Sequence, residues 1–253
     1  YNADESGTAG GKRGSLYAAY NTGVVTATGN NAGGIAGTNA GDISSVFNTI
    51  MQSGTNGEVI YGAVTGASNV GGLVGNNAAG GTLTNAYNTT KVEANGTKGN
   101  AVGSNSGTVT NVYATNTDGK LIGDGTGTVE TSYSFSTEDD DKAGITVIAE
   151  ADRKDKDSYE SFHDVIDEDG NKVWKFYDGY NTPMLKVFLT KAEYKGDREF
   201  TYNGTEQGLE ANKIIAADGL AAYRNENSLI QNFQNTNAGD YALWSEQIAA
   251  NTT

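Results

Sequence analysis

The 253-residue chain has no cysteine, one histidine and one proline. The absence of cysteine excludes a disulfide framework, a thiolate zinc site and a cysteine nucleophile. With a single histidine, His163, the chain has almost no candidates for the nucleophile–base pair of a hydrolase. The composition therefore argues against an enzyme.

Positive charge is also scarce, because 17 Lys and Arg residues stand against 31 Asp and Glu residues, for a formal net charge of −14. Such an acidic chain is not expected to bind nucleic acid or an anionic membrane surface. No run approaches the roughly 18 apolar residues of a membrane helix, so we expect no membrane insertion. A cysteine-free composition fits a secreted bacterial protein. Because the sequence begins on a Gly-rich segment and ends on "ANTT" without a visible cap, we interpret it as part of a longer chain.

Glycine, by contrast, is abundant, and its 35 copies follow a repeat. The five copies of the repeat are "GSLYAAYNT" from Gly14, "GDISSVFNT" from Gly41, "GTLTNAYNT" from Gly81, "GTVTNVYAT" from Gly107 and "GTVETSYSF" from Gly127. In each copy an aliphatic residue stands two places after the glycine and an aromatic residue six places after it. Offsets 2, 4 and 6 share one face of a strand, and the small or polar residue at offset 4 indicates a bend.

Self-similarity at intervals of roughly 20–50 residues is typical of solenoids, because one repeat cannot bury its own apolar face. The strand-like pattern, with no helical periodicity between residues 14 and 136, predicts an all-β fold with a β-solenoid over 1–137. Asn39, Asn77 and Asn105 recur at one corner. We expect their amides to hydrogen-bond along the axis of the solenoid.

The segments "GIAGTNAG", "GLVGNN" and "NAYNT" resemble the GLUG-type repeats of large bacterial surface proteins, including filamentous-haemagglutinin-like adhesins. The resemblance covers about half of the chain. It implies a secreted, surface-displayed right-handed parallel β-helix that serves as a stalk or an adhesive surface. It implies no catalytic residues.

A charged segment follows at 138–190, and we predict that it closes the solenoid. Trp174 and the only proline, Pro183, lie in it, and a large indole is suited to covering the open end of a narrow core. The run from Asp139 to Asp141 has two interpretations, a cation site or a solvated loop at the edge of this closing element.

Three acidic residues, Asp164, Asp167 and Asp169, precede a glycine in "DVIDEDGN" and are candidate Ca²⁺ ligands. The spacing and the closing glutamate of an EF-hand are missing. The alternative is a hairpin turn at "EDGN" between "DVID" and "KVWKF". We expect no other cofactor.

The last part of the chain, 191–253, contains "YNGT" and, about thirty residues later, "NAGDY". This pair resembles the MBG or YDG-type modules that occur beside adhesin repeats. The resemblance implies a small β-sandwich, in which Tyr202 and Tyr241 pack or hydrogen-bond.

Together these features predict a non-catalytic fragment of a secreted, cell-surface bacterial adhesin or exoprotein that binds host or neighbouring-cell glycans or proteins. The candidate contact residues are the aromatic side chains Tyr17, Tyr61 and Tyr180. One alternative is a β-helix enzyme acting on polysaccharides. The other is an ice-binding solenoid, because Thr82, Thr84, Thr108 and Thr110 form outward Thr-x-Thr pairs on neighbouring repeats.

Overall fold

In a computed structural model, the described residues are 14–49, 62–140, 142–176, 178–179 and 181–189, with short stretches between 192 and 245. The chain divides into two compact units, Tyr1–Leu185 and Lys186–Thr253. The three-part division at 137 and 190 stays a prediction.

The first unit is built of short strands. Their bounds are β1 Ser15–Asn21, β2 Val25–Thr26, β3 Ala32–Gly33, β4 Ala36–Asn39, β5 Asp42–Asn48, β6 Ala63–Gly66, β7 Val70–Gly71, β8 Val74–Asn77, β9 Thr82–Asn88, β10 Lys91–Ala94, β11 Lys98–Gly99, β12 Val102–Asn105, β13 Thr108–Ala114, β14 Ile122–Asp124, β15 Thr128–Glu130, β16 Ser132–Ser134, β17 Ile145–Val147, β18 Trp174–Lys175 and β19 Met184–Leu185.

Four sheets of parallel strands organise β1 to β17. The long sheet has the order β1-β5-β9-β13-β16-β17, with β15 also on β13, and the smaller sheets are β2-β6-β10, β3-β7-β11 and β4-β8-β12-β14. We number the repeats 1 to 5 by their glycines, Gly14, Gly41, Gly81, Gly107 and Gly127. Repeats 1, 2 and 3 each place one strand in every sheet, in the same order. The predicted all-β class is confirmed for the described residues.

The sequence copies align residue for residue in the long sheet. Ile43 pairs with Leu83, and Leu83 pairs with Val109. These three side chains are fully buried, and the next layer of the same core is Val46, Ala86 and Val112. Inward aliphatic residues from successive repeats therefore form one continuous core.

The residue at offset 4 bends the long strand in every repeat. Ala18, Ser45, Asn85, Asn111 and Thr131 have φ values of 53°, 53°, 54°, 55° and 46°. A left-handed residue shifts the alternation of side chains by one, so that offset 5 rather than offset 6 joins the aliphatic core. The predicted bend is confirmed, but the expectation that the aliphatic and aromatic residues share one face is wrong.

A second corner requires glycine. Gly33, Gly71 and Gly99 pair in register in the sheet β3-β7-β11. A Cβ atom on any of them would overlap a backbone carbonyl oxygen, of Ala36, Val74 or Val102. The close approach of the two chain segments thus excludes every larger residue there.

After β16 the chain forms short helical turns and hairpins. The bounds are 3₁₀ turns at Thr137–Asp139, Glu150–Asp152 and Lys156–Tyr159, and helix α1 at Glu160–His163. An antiparallel bridge joins Ile166 to Lys172, and β18 pairs antiparallel with β19. The bridge closes over 167–171, which confirms the hairpin turn predicted at "EDGN".

The second unit contains a 3₁₀ turn at Lys186–Phe188 and short strands in antiparallel pairs. The strands are β20 Ala192–Tyr194, β21 Gln207–Gly208, β22 Ile214–Ala216, β23 Ile230–Gln231, β24 Gln234–Asn235 and β25 Trp244–Ser245. The pairs are β20–β22, β21–β24 and β23–β25. Tyr202 and Tyr241 lie outside the described residues.

Candidate functional site

The outward side of the long sheet carries two rows of mostly short polar residues, which we call the outer face. The first row is Ser15, Asp42, Thr82, Thr108 and Thr128, and the second row is Tyr17, Ser44, Thr84, Thr110 and Glu130. Both rows flank the buried Leu83 and Val109, as the alternation of a strand requires. The predicted outward placement of the Thr-x-Thr pairs agrees with this register.

The regular array of threonine pairs on the outer face is limited to its centre. Only repeats 3 and 4 present two threonines each, Thr82 with Thr84 and Thr108 with Thr110. Asp42 interrupts the first row and accepts a 2.8 Å hydrogen bond from the hydroxyl of Thr82. Tyr17 and Glu130 end the second row. The outer face is thus a small array of hydroxyls bounded by an aromatic ring and carboxylates.

Of the three tyrosines predicted to contact a ligand, the structure describes one. Tyr17 lies on β1 and is 56% exposed, on the outer face of repeat 1. Tyr61 and Tyr180 lie outside the described residues. The structure therefore gives no arrangement of the three, and Tyr17 alone can be assigned a surface.

One corner of the repeats carries the predicted asparagine ladder. Asn39 Nδ2 donates to Asn77 Oδ1 at 2.8 Å, and Asn77 Nδ2 donates to Asn105 Oδ1 at 2.8 Å. All three side chains are buried. Asn77 has an amide partner both above and below, and these buried hydrogen bonds stabilise the stacking of the repeats. The prediction for these residues is confirmed.

A second asparagine ladder runs along the ends of the long strands. Asn21 Nδ2 donates to Asn48 Oδ1 at 2.9 Å, Asn48 Nδ2 to Asn88 Oδ1 at 3.2 Å, and Asn88 Nδ2 to Asn116 Oδ1 at 3.3 Å. This ladder was not predicted, although the "NT" that follows the aromatic residue in repeats 1, 2 and 3 is its signal in the sequence. The sequence "NTT" that begins at Asn88 matches the acceptor pattern for N-glycosylation, but Asn88 is fully buried and therefore not accessible to the modifying enzyme.

The aromatic residues at offset 6 form a separate stacked row. Ring centroids of Tyr20 and Phe47 are 5.2 Å apart, those of Phe47 and Tyr87 5.1 Å, and those of Tyr87 and Tyr113 5.2 Å. The planes of neighbouring rings differ by 8° to 13°. Parallel in-register pairing of the strands places identical offsets one above another, and this register produces the row.

The segment after the repeats covers part of the aromatic row. The ring centroid of Trp174 lies 6.0 Å from that of Tyr113 and 6.4 Å from that of Tyr87. The Trp174 ring also stacks on Phe162, with the ring centroids 4.4 Å apart. The Tyr113 hydroxyl donates to the Pro183 carbonyl oxygen at 2.6 Å. Trp174 therefore lies along the flank of the repeats, against the row. The prediction that the indole covers the open end of the core is therefore wrong. At that end of the long sheet, strand β17 pairs with β16.

This aromatic cover also changes the chemistry of the tyrosines. Burial raises the pKa of Tyr87, Tyr113 and Tyr159, because the phenolate would lose its solvation. The hydroxyls therefore stay protonated to a higher pH than that of an exposed tyrosine. They act as hydrogen-bond donors, as Tyr113 does toward Pro183 and Tyr159 does toward the Arg153 carbonyl at 2.7 Å.

Two of the three aspartates considered for calcium, Asp164 and Asp167, bind other groups through their carboxylates. Asp164 pairs with Lys172 at 2.8 Å, and this ion pair lowers the pKa of Asp164. The Asp167 carboxylate accepts the backbone N–H groups of Asp169 at 3.0 Å and Asn171 at 2.8 Å, inside the hairpin turn. Within the described part of the chain, no three acidic, histidine or cysteine side chains form a group that could hold a metal. The calcium site stays a prediction.

Asp139, in the acidic run at the end of the repeats, is buried rather than solvated. Its Oδ2 accepts the backbone N–H of Leu121 at 2.7 Å, and burial raises the pKa of the carboxyl. The neighbouring Glu138 is exposed and accepts the backbone N–H of Gly119 at 2.7 Å. The two interpretations of the run from Asp139 to Asp141, a cation site or a solvated loop, did not include this pairing with the backbone of the repeats.

Comparison with protein-family models, with curated proteins and with solved structures gives no match for this chain. A search of the described helices finds none that is long and apolar enough to cross a membrane.

Proposed function

We propose that this chain is a non-catalytic part of a secreted bacterial surface adhesin, with the repeats wound as a right-handed parallel β-helix and a β-sandwich at 191–253. The observation that carries the proposal is that repeats 1, 2 and 3 return to the same four parallel sheets in the same order. Nearly all connections between parallel strands of one sheet are right-handed, which supports the proposed hand.

Such an architecture is suited to display. The aliphatic core, the two asparagine ladders and the aromatic row all connect each repeat to its neighbour. Stability then comes from contacts between neighbours, so that a rod can be lengthened by adding repeats without redesigning the fold. A rod of this kind holds a binding surface away from the cell that carries it.

The outer face is the proposed contact surface, and its partner is a glycan or a protein on a host or neighbouring cell. Tyr17 contributes an exposed ring, which can stack on a sugar or a protein at small entropic cost. The hydroxyls of Ser44, Thr84 and Thr110 follow it along the second row and can donate and accept hydrogen bonds.

A glycan array and a cell-adhesion assay on the whole chain test this proposal. Tyr17→Ala is expected to reduce binding several-fold, while Tyr17→Phe, which keeps the ring, retains most of it. Circular dichroism controls for folding. If neither the parent chain nor the variants bind any glycan or cell surface, the adhesive role is excluded for this part of the protein.

The two alternative functions, a polysaccharide-active enzyme and an ice-binding solenoid, can each be tested by a separate assay on the same purified chain. A polysaccharide-active enzyme would release reducing ends or unsaturated sugars from a substrate panel, and we expect none. The aligned threonines of repeats 3 and 4 favour an ice-binding surface, but Asp42, Tyr17 and Glu130 interrupt the array. We therefore expect no thermal hysteresis, and a measurable hysteresis that Thr84→Lys abolishes would favour the ice-binder instead.

A further inference from the structure

The tripeptide Asn-Gly-Thr occurs twice in the chain, at 95–97 and at 203–205. Asn95 and Asn203 are both exposed. When glycine follows asparagine, its backbone nitrogen can approach the carbonyl carbon of the asparagine side chain, because glycine has no Cβ in the way. Since the two tripeptides are identical, a difference in reactivity between them has to come from the atoms around each side chain.

At 203–205 three donors converge on one oxygen. Asn203 Oδ1 accepts the backbone N–H of Thr205 at 2.9 Å, the hydroxyl of Thr205 at 2.7 Å and an N–H of Gln207 Nε2 at 2.6 Å. Gln207 Nε2 also donates to the Thr201 carbonyl oxygen at 3.1 Å, so this donor is held in place. Donors around a carbonyl oxygen stabilise the negative charge that the oxygen gains when its carbon is attacked, as an oxyanion hole does.

At 95–97 the corresponding atoms bind elsewhere. The N–H of Gly96 donates to Ala67 O at 2.8 Å, and the N–H of Thr97 donates to the Ser68 hydroxyl oxygen at 3.3 Å. The nitrogen that would attack the Asn95 side chain is therefore engaged with the backbone of repeat 2, and the N–H of Thr97 is directed to a serine. The same tripeptide thus has an activating environment at one place and a restraining one at the other.

We propose that Asn203 is a self-modifying site, at which the backbone nitrogen of Gly204 attacks the side chain and converts the asparagine to aspartate or isoaspartate faster than at Asn95. The bond from Gly204 N to Asn203 Cγ forms, the Cγ–Nδ2 bond breaks, and Nδ2 leaves as ammonia with the proton of the Gly204 N–H. One water molecule then opens the five-membered ring at either of its two carbonyl carbons. No electron is gained or lost, and solvent water is the only co-reactant.

The reaction changes this turn in two ways. Both products place a carboxylate where the amide was, which adds a negative charge beside Gln207, the first residue of β21. Isoaspartate also adds one methylene group to the main chain between residues 203 and 204. The local charge and backbone of the second unit therefore change with the age of the protein, without a modifying enzyme.

Peptide mapping by mass spectrometry of the whole chain, stored at neutral pH for increasing times, tests the proposal. The fraction of each asparagine that has exchanged its NH2 group for OH gives a separate rate for each site. We expect a higher rate at Asn203 than at Asn95 in the folded chain, and similar rates once denaturant removes the hydrogen bonds at both tripeptides. Equal rates in the folded chain, or a difference that is as large in denaturant, overturn the proposal.

Variants of the whole chain identify the donors that matter. Thr205→Val removes the hydroxyl donor and Gln207→Met removes the amide donor. Each should slow conversion at Asn203 by roughly three- to tenfold, the effect of one lost hydrogen bond to a developing charge. Thr205→Ser keeps the hydroxyl and should retain the parent rate, and Thr97→Val, the matched change at the other tripeptide, should leave the rate at Asn203 unchanged.

Circular dichroism establishes that each variant is folded, and Gln207→Met decides the question if Thr205→Val unfolds. Slower conversion at Asn203 in the folded variants supports the proposal. Unchanged conversion means that the donors do not activate the amide, and faster conversion means that they restrain it, so that either result refutes the proposal.

Discussion

At the scale of single residues, position within the repeat decides what each side chain does. Leu83 and Thr84 are neighbours in one strand, yet Leu83 is fully buried in the core and Thr84 lies on the outer face. Asn77 is as buried as Leu83 but is tolerated there, because its amide has partners on both sides. Burial and hydrogen bonding, more than residue type, therefore determine the effect of a substitution.

The first prediction compares the two faces of β9. Leu83→Asp places an uncompensated carboxylate between repeats and should lower the free energy of unfolding by roughly 3 kcal/mol or more. Thr84→Asp, on the outer face, should cost less than about 1 kcal/mol. Chemical denaturation of both variants measures the difference, and equal losses would mean that the faces are assigned wrongly.

The second prediction concerns the ladder of Asn39, Asn77 and Asn105. Asn77→Ala removes the buried hydrogen bonds that join Asn77 to Asn39 and Asn105, and should cost about 2–4 kcal/mol. Asn95→Ala, at an exposed asparagine of repeat 3, is the matched control, with an expected change within about 0.5 kcal/mol. Chemical denaturation measures both variants. Similar denaturation midpoints for the two would show that the ladder contributes nothing to stability.

At the scale of elements, the long strand is two strand halves joined by a left-handed residue. The bend places the aliphatic residues of both halves in one core and turns the aromatic residue to the other side. The aromatic row is then available to a different element, the segment that carries Trp174, Tyr159 and Phe162. One backbone conformation, repeated five times, thus creates two packing surfaces from one strand.

The bend gives a third prediction, from two adjacent alanines of β1. Ala18 has a φ of 53°, which glycine adopts without strain, so Ala18→Gly should be neutral or stabilising by up to about 1 kcal/mol. Ala19 packs against the core, and Ala19→Gly should destabilise by about 1 kcal/mol. The melting temperature should stay the same or rise for Ala18→Gly and should fall for Ala19→Gly. A larger fall in melting temperature for Ala18→Gly than for Ala19→Gly would refute a strained backbone at the bend.

The cover on the aromatic row gives the fourth prediction. Trp174→Ala removes the ring that packs on Tyr113, Tyr87 and Phe162, and should cost about 3–5 kcal/mol. Trp174→Phe keeps an aromatic ring and removes an indole N–H that has no hydrogen-bond partner among the described residues, so its cost should be much smaller. Thermal unfolding checks both variants, and an equal cost would mean that ring packing is not the source of stability.

At the scale of the whole molecule, the two compact units divide the chain at Leu185 and Lys186. The first unit combines the repeats with the segment that covers the aromatic row. Its stability therefore depends on contacts between neighbouring repeats and on the buried tyrosines at offset 6.

The fifth prediction concerns alkaline pH. Burial raises the pKa of Tyr87, Tyr113 and Tyr159 above the unfolded value of about 10, so the folded state holds these protons after the unfolded state has released them. Below about pH 10 the stabilisation from keeping each tyrosine neutral is fully present. Above pH 10 the free energy of unfolding should fall by about 1.4 kcal/mol per pH unit for each of these tyrosines. Phenolate absorbance should rise together with unfolding, and Tyr113→Phe should reduce the slope. Titration of all tyrosines before unfolding would contradict the assigned burial.

Much of this protein was determined by the sequence alone. The five-fold repeat, the inward aliphatic ladder, the bend at offset 4 and the amide ladder through Asn77 follow from spacing and strand periodicity, because parallel stacking puts equal offsets in contact. Only the tertiary structure decided that the bend shifts the alternation of side chains between the two faces of the strand. As a result Val112 lies in the aliphatic core and Tyr113 in the aromatic row. It also decided that Trp174 lies along the aromatic row and that Asp139 accepts a backbone hydrogen bond from Leu121 of repeat 4. These features depend on where distant segments meet, and a local pattern in the sequence does not encode such a meeting.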